Sequence, residues 1–158
     1  MTATATIPWD WYRDAAVLAR EQDAIFGRAW HYVGRLGDPG DVVPGWAGQV
    51  PVVLVKAGDG EERAFVNVCR HRGSVVVEEA GNRKALQCPY HAWTYDLDGS
   101  LRAAPRSESE GVDLSDVSLA PVRVEGWGPF RFVNLDAEAP PLAELLGEIP
   151  ERIAAAGL

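Results

Sequence analysis

Two short stretches carry the metal-binding chemistry of this 158-residue chain. One reads Cys69-Arg70-His71-Arg72-Gly73, the other Cys88-Pro89-Tyr90-His91-Ala92-Trp93-Thr94-Tyr95. The first is C-x-H and the second C-x-x-H; together they use both cysteines and two of the three histidines. Two thiolates with two imidazoles suit a binuclear iron–sulfur cluster in which two His replace two Cys on one iron. The same four residues could hold zinc in a tetrahedral Cys2His2 site. Zinc fingers group cysteines with cysteines and histidines with histidines, whereas each stretch here supplies one of each. That distribution suits two loops clamping a two-iron cluster, each giving a thiolate to one iron and an imidazole to the other. The plainer alternative, buried small cysteines and unrelated surface histidines, is outweighed by the coincidence of spacing with Gly73 and Pro89.

Such a site needs rigid elements behind both loops. Residues 1 to about 8 read as a loose tail. Asp14 is a candidate N-cap for a helix over about 14–27, with Leu18, Ile25 and Phe26 on one face and Gly27 at its end. That helix is expected to cover one side of a sheet. Strands are expected over Trp30–Arg35, Asp41–Pro44, Val50–Lys56 and Glu62–Val68, the last running into Cys69. Gly37-Asp38-Pro39-Gly40 and Ala57-Gly58-Asp59-Gly60 read as turns. Ala85–Gln87 leads into the second loop, and Asp98-Gly99 separates strands over Trp93–Leu97 and Ser100–Ala103. After an acidic loop over 106–116, Val122–Glu125 and Phe130–Leu135 form a last hairpin. Pro140–Gly157 reads as a helical tail, with Pro150 marking a break.

The chain is long enough for one domain with a proper core. Its 47% apolar and 24% charged residues are ordinary for a globular protein. A net charge of −8 argues against nucleic acid as the main partner. No apolar run is long enough to span a membrane. Met1 to Ile7 lacks the basic start and apolar core of a signal peptide, so a cytoplasmic setting is expected. A cytosolic Cys pair flanked by histidines reads as metal-binding rather than as a disulfide.

Cys69, His71, Arg72, Gly73, Cys88, Pro89, Tyr90, His91 and Trp93 resemble the Rieske domain of the Rieske non-haem iron oxygenases, the ring-hydroxylating and related mono- and dioxygenases. The likeness runs from the N-terminal helix through Gly126-Trp127-Gly128 and Phe132-Val133-Asn134-Leu135. It implies a mainly β fold, a Rieske-type antiparallel β-sandwich with cluster loops at 69–74 and 88–95, a β core over about 30–135 and a helical tail over about 140–158. It further implies a 2Fe-2S cluster with Cys69, His71, Cys88 and His91 as ligands. The implied role is electron transfer: from a reductase or ferredoxin, through the cluster, to a mononuclear iron held by two His and a carboxylate. That site needs two more histidines, and only His31 remains, so no catalytic residue is expected in these 158 residues. The family's oxygenases are commonly trimers, which makes a homo-oligomer a further expectation. The alternative is a small stand-alone Rieske ferredoxin, but the long N-terminal helix and the tail favour the oxygenase branch.

The residues around the ligands divide by rank. Gly73 is expected to permit a backbone shape that a side chain would block. Arg72 reads equally as a surface charge or as a docking contact. Trp93 and Tyr95 are expected to pack under the loops, with Tyr95 also a donor toward a cluster cysteine, as in respiratory Rieske proteins. Those proteins place a disulfide-forming Cys where this chain has Ser74 and Tyr90, and a Ser where it has Trp93. An indole too large for the Ser niche is expected to turn outward. Without that donor, the resemblance implies a potential toward the low end of the Rieske range, near about −150 mV. His31 reads as a core or surface histidine rather than a ligand.

Overall fold

The computed structural model describes residues 6–105 and 113–157. Expectations for residues 1–5 and for most of the acidic loop, 106–112, fall outside the described residues. The framework is antiparallel β. Strands β1 (His31–Gly34), β2 (Asp41–Ala47), β3 (Val50–Lys56), β4 (Glu62–Val66), β5 (Gly81–Asn82), β9 (Pro121–Trp127) and β10 (Phe130–Asn134) form one sheet in the order β1-β10-β9-β4-β3-β2-β5. Strands β6 (Leu86–Gln87), β7 (Thr94–Tyr95) and β8 (Leu101–Ala103) form a second, small sheet.

β3 explains the layering. Val52, Val53, Leu54 and Val55 are all fully buried, so both faces of this central strand are covered. Alternation then splits them. Val52 and Leu54 join Leu36, Ala47, Ala64 and Val133 in one core. Val53 and Val55 join Val42, Phe65, Leu86, Tyr95 and both cysteines in the other. Each fully buried Val or Leu among these contributes roughly 1.5–3 kcal/mol of transfer free energy. The large sheet curls until its two ends approach. A Cβ at Gly45 of β2 would lie 2.6 Å from Val33 Cγ1 of β1, and one at Gly34 would lie 2.9 Å from Val43 Cγ1. Glycine at these two positions lets the strands come that close.

Several expectations shift by physical detail. Asp14 caps helix α1 (Ala15–Glu21), its carboxylate accepting from Ala16 N at 2.8 Å. The helix then widens into a π turn over Gln22–Phe26, closed by Gly27 N donating to Gln22 O. A π turn adds a residue to its loop and rotates the following side chains off the 3.6-residue face. Ile25 and Phe26 are accordingly exposed; Leu18, ahead of the turn, is exposed too, and Val17 is the residue α1 buries. A 3-10 turn over Trp9–Tyr12 fills the stretch between the expected tail and Asp14, to which the sequence assigns no element. β2 runs three residues beyond Pro44, and the short β5 pairs with its start; neither feature is in the sequence reading. The tail forms α2 (Leu142–Leu146) and α3 (Ile149–Ala155). Its break falls at Gly147, at φ 51°, while Pro150 sits in the first turn of α3, where a missing N–H costs nothing.

Candidate metal centre

Both loops are six-residue hairpin tips, and they close in the same way. The first spans 69–74 above the Val68–Val75 bridge, the second 88–93 above the Gln87–Thr94 pair. In the first, Cys69 N donates to Ser74 O at 2.7 Å and Gly73 N donates to Cys69 O at 3.0 Å. In the second, Cys88 N donates to Trp93 O at 2.8 Å and Ala92 N donates to Cys88 O at 3.0 Å. The fifth residue of each tip has positive φ: Gly73 at 72° and Ala92 at 58°. Nothing lies within 4 Å of a Cβ built at Gly73, so its constraint is the backbone conformation rather than a lack of space. Ala92 is the one non-glycine in this region among the described residues. A left-handed conformation costs an L-residue roughly 1–2 kcal/mol. Ala92→Gly is therefore expected to stabilise the protein by about 1 kcal/mol, a rise of about 2–4 °C in melting temperature. A thermal melt showing no gain would place the strain elsewhere.

The tips bring the four sequence-predicted ligands together. Cys69 and Cys88 are buried, at 3% and 2% exposure, and both are free thiols. The His71 and His91 rings meet edge to face, centroids 4.8 Å apart. They are partly exposed while the sulfurs are not, so the site has a dry thiol end and a wet imidazole end. Among the described residues no three His, Cys, Asp or Glu side chains converge on one ion-sized position. The two imidazoles adjoin each other, and the two thiols sit in the same buried core. Two thiols and two imidazoles are the donor set that a mixed His/Cys two-iron cluster takes.

Tyr95 and Trp93 lie beneath the tips. Tyr95 is fully buried in β7. Its hydroxyl accepts from Arg70 N at 2.9 Å and lies 3.3 Å from Cys69 Sγ. An oxygen that accepts from a backbone N–H has its proton left for the sulfur, so Tyr95 is the donor toward a Cys69 thiolate. Burial first, then the contact with Cys69, pushes the phenol well above its ordinary value, so the group stays protonated. Trp93 packs against the loops as expected, but its buried ring corrects the outward placement expected of the indole. It is 4% exposed, and its ring stacks on His71 with centroids 4.9 Å apart and planes 6° from parallel. The shift has a simple cause: the tip of the second loop turns the side chain at 93 toward the first loop, where a flat imidazole offers a packing surface. Tyr90 stacks on His91 from outside, at 3.8 Å between centroids, and is 60% exposed. Arg72 is exposed and forms no ion pair among the described residues. His31 lies elsewhere, its Nε2 2.7 Å from Phe26 O.

Asn67 escaped the sequence reading. It is 2% exposed; its Nδ2 donates to Val77 O at 2.7 Å while its Oδ1 accepts from Val76 N and Val77 N. It thereby ties the entry of the first loop to its exit. The available signal was a polar residue where strand alternation into Cys69 calls for burial.

The comparisons with known proteins agree with this geometry. The chain is 35% identical over 134 residues to the chloroplastic choline monooxygenase of Amaranthus tricolor, covering 83% of this chain and 30% of that protein. It is 38% identical over 143 residues to the biphenyl 2,3-dioxygenase subunit alpha of Rhodococcus jostii (strain RHA1), covering 87% and 31%. Among solved structures, the apo quaternary ammonium Rieske monooxygenase CntA superposes with a TM-score of 0.84 at 34% identity, over 96% of this chain and 46% of that one. Naphthalene 1,2-dioxygenase with indole bound gives 0.80 at 36% identity, over 87% and 33%. The chain thus spans under a third of these two curated relatives and under half of these solved chains. The Rieske [2Fe-2S] domain model matches residues 30–123, which take in both tips and the strands behind them, and the chain belongs to that family.

Proposed function

We propose that this chain is the electron-transfer domain of a ring-hydroxylating-type oxygenase, with Cys69 and Cys88 holding one iron of its Rieske 2Fe-2S cluster and His71 and His91 the other. The observation that carries the reading is the paired site: two buried free thiols behind two adjoining, partly exposed imidazoles. When bound, the cluster takes up and releases one electron at a time. The chain's own residues do the rest. Strands β4, β6 and β7 hold the tips rigid, Tyr95 donates toward Cys69, and the buried thiol end keeps water from the sulfurs. The two imidazoles form the face through which electrons enter and leave. A cytoplasmic, reducing setting suits this site, because it keeps Cys69 and Cys88 out of a disulfide. Among the described residues no helix is long and apolar enough to cross a membrane.

The donor would be a reductase or ferredoxin and the acceptor a mononuclear iron outside residues 1–158, in a second domain or another subunit of a homo-oligomer. The 158 residues hold only His31 beyond the two loop histidines, too few for a two-His-one-carboxylate site. The test is a stopped-flow experiment with the purified 158-residue chain and an NADH-linked reductase of a Rieske monooxygenase. The visible absorbance should bleach in a single-electron step, with no oxygen consumed in substrate hydroxylation. Failure to accept electrons, or hydroxylation by the chain alone, would overturn the reading. The alternative, a mobile Rieske ferredoxin, would instead pass electrons to a separate, complete oxygenase.

A further inference from the structure

Trp93 Nε1 is buried and has no hydrogen-bond partner among the described residues. Leaving such a group unmet costs about 1–3 kcal/mol, and buried indole N–H groups ordinarily find an acceptor. The residue is held from two sides. Its backbone oxygen accepts from Cys88 N at the neck of the second tip, and its ring lies flat on His71 of the first. The indole therefore spans the space between the two loops. What belongs in that space is rich in electron-dense sulfur: two thiolates and two bridging sulfides.

We propose that Trp93 Nε1–H donates a hydrogen bond to a sulfur of the Rieske cluster, while its ring fixes the plane of His71. This rests on the reading that the tips hold the cluster. It also changes an expectation drawn from sequence. Trp93 stands where respiratory Rieske proteins have a Ser donor, and the exchange reads from sequence as the loss of a hydrogen bond. The buried indole replaces the hydroxyl instead. Reduction adds one electron and breaks no bond, and the added negative charge spreads onto the sulfurs. A donor there favours the reduced state and raises the potential.

Two variants separate the N–H from the ring. Trp93→Phe keeps a flat ring on His71 and removes the donor; Trp93→Leu removes both. Film voltammetry at one pH, with iron and sulfide counted, should show Trp93→Phe shifted at least tenfold toward the oxidised form. That corresponds to about 59 mV downward for a one-electron couple. A second measurement needs no variant. Wild-type protein grown on indole-15N tryptophan should show a nitrogen-15 coupling to the reduced cluster in pulsed electron paramagnetic resonance, beyond the histidine couplings. An unchanged potential in Trp93→Phe with its cluster intact, or wild type without the indole coupling, overturns the hydrogen bond alone. If Trp93→Phe sheds its cluster, the labelled wild type decides. A wild-type chain that carries zinc and no sulfide overturns both this bond and the ligand assignment.

Discussion

Cys69→Ser and Cys88→Ser should each leave a folded but colourless protein. Purified anaerobically, the wild-type chain is expected to carry about two irons and two sulfides, and when reduced to show the low average g value of mixed His/Cys ligation. Each serine variant should lose both signals. The reasoning is chemical and positional. Iron–sulfur clusters are held by thiolates, and a serine hydroxyl does not ionise at neutral pH to replace one. Both sulfurs are almost fully buried at the inner end of the site, so no water or neighbouring carboxylate reaches in to substitute. The rest of the core around Cys69 and Cys88, including Val53, Val55, Phe65 and Leu86, is unchanged by the substitution. The fold should therefore survive, destabilised by up to about 1–3 kcal/mol for burying a hydroxyl, less at 69, where the Tyr95 hydroxyl is in reach, and further by the lost binding energy of the metal. Circular dichroism, iron and sulfide assay and visible absorbance together check this. Stoichiometric zinc in fresh colourless wild type, or a serine variant with full iron and sulfide, would sink the ligand assignment.

Sequence makes the centre more legible than its surroundings, for physical reasons. Cys69, His71, Cys88 and His91 stand out because metal ligation demands rare residue types at short spacings. The central strands stand out because a run such as Val52–Val55 has few ways to be buried except between two layers. What sequence hides is conformation that side-chain type does not encode. Ala92 carries a positive φ that a glycine would have announced. With it goes the near-identity of the two loop closures, 69 to 74 and 88 to 93. The π turn over Gln22–Phe26 is a hydrogen-bond shift invisible to a 3.6-residue pattern, and it moves Ile25 and Phe26 out of the face assigned to them. Asn67 and Trp93 are long-range effects: one pins residues 76 and 77, the other crosses from one loop to the other's histidine. Pairings of that kind appear only once the sheets have folded.

Tyr95→Phe should lower the reduction potential and leave the cluster in place. The hydroxyl lies 3.3 Å from Cys69 Sγ, and Arg70 N already donates to its oxygen at 2.9 Å, so its proton is directed at the sulfur. Burial, with the Cys69 contact, holds the phenol above its ordinary value; it remains a donor throughout the neutral range. Reduction makes Cys69 a more negative acceptor, and the bond strengthens in that state. A hydrogen bond to a charged acceptor is worth about 1.5–3 kcal/mol. Were all of it gained on reduction, the one-electron couple would move by about 65–130 mV; the bond's strength in the oxidised state subtracts from that ceiling. Phenylalanine fits the same fully buried slot, and the partly buried Arg70 N–H is left to find water. Film voltammetry of both proteins between pH 6 and 8 should give a downward shift of roughly constant size, since Tyr95 does not titrate there. A shift that is absent or upward with iron content unchanged would show that the Tyr95 proton does not serve the cluster. A shift that grows across that pH range would instead assign the effect to a group that ionises within it.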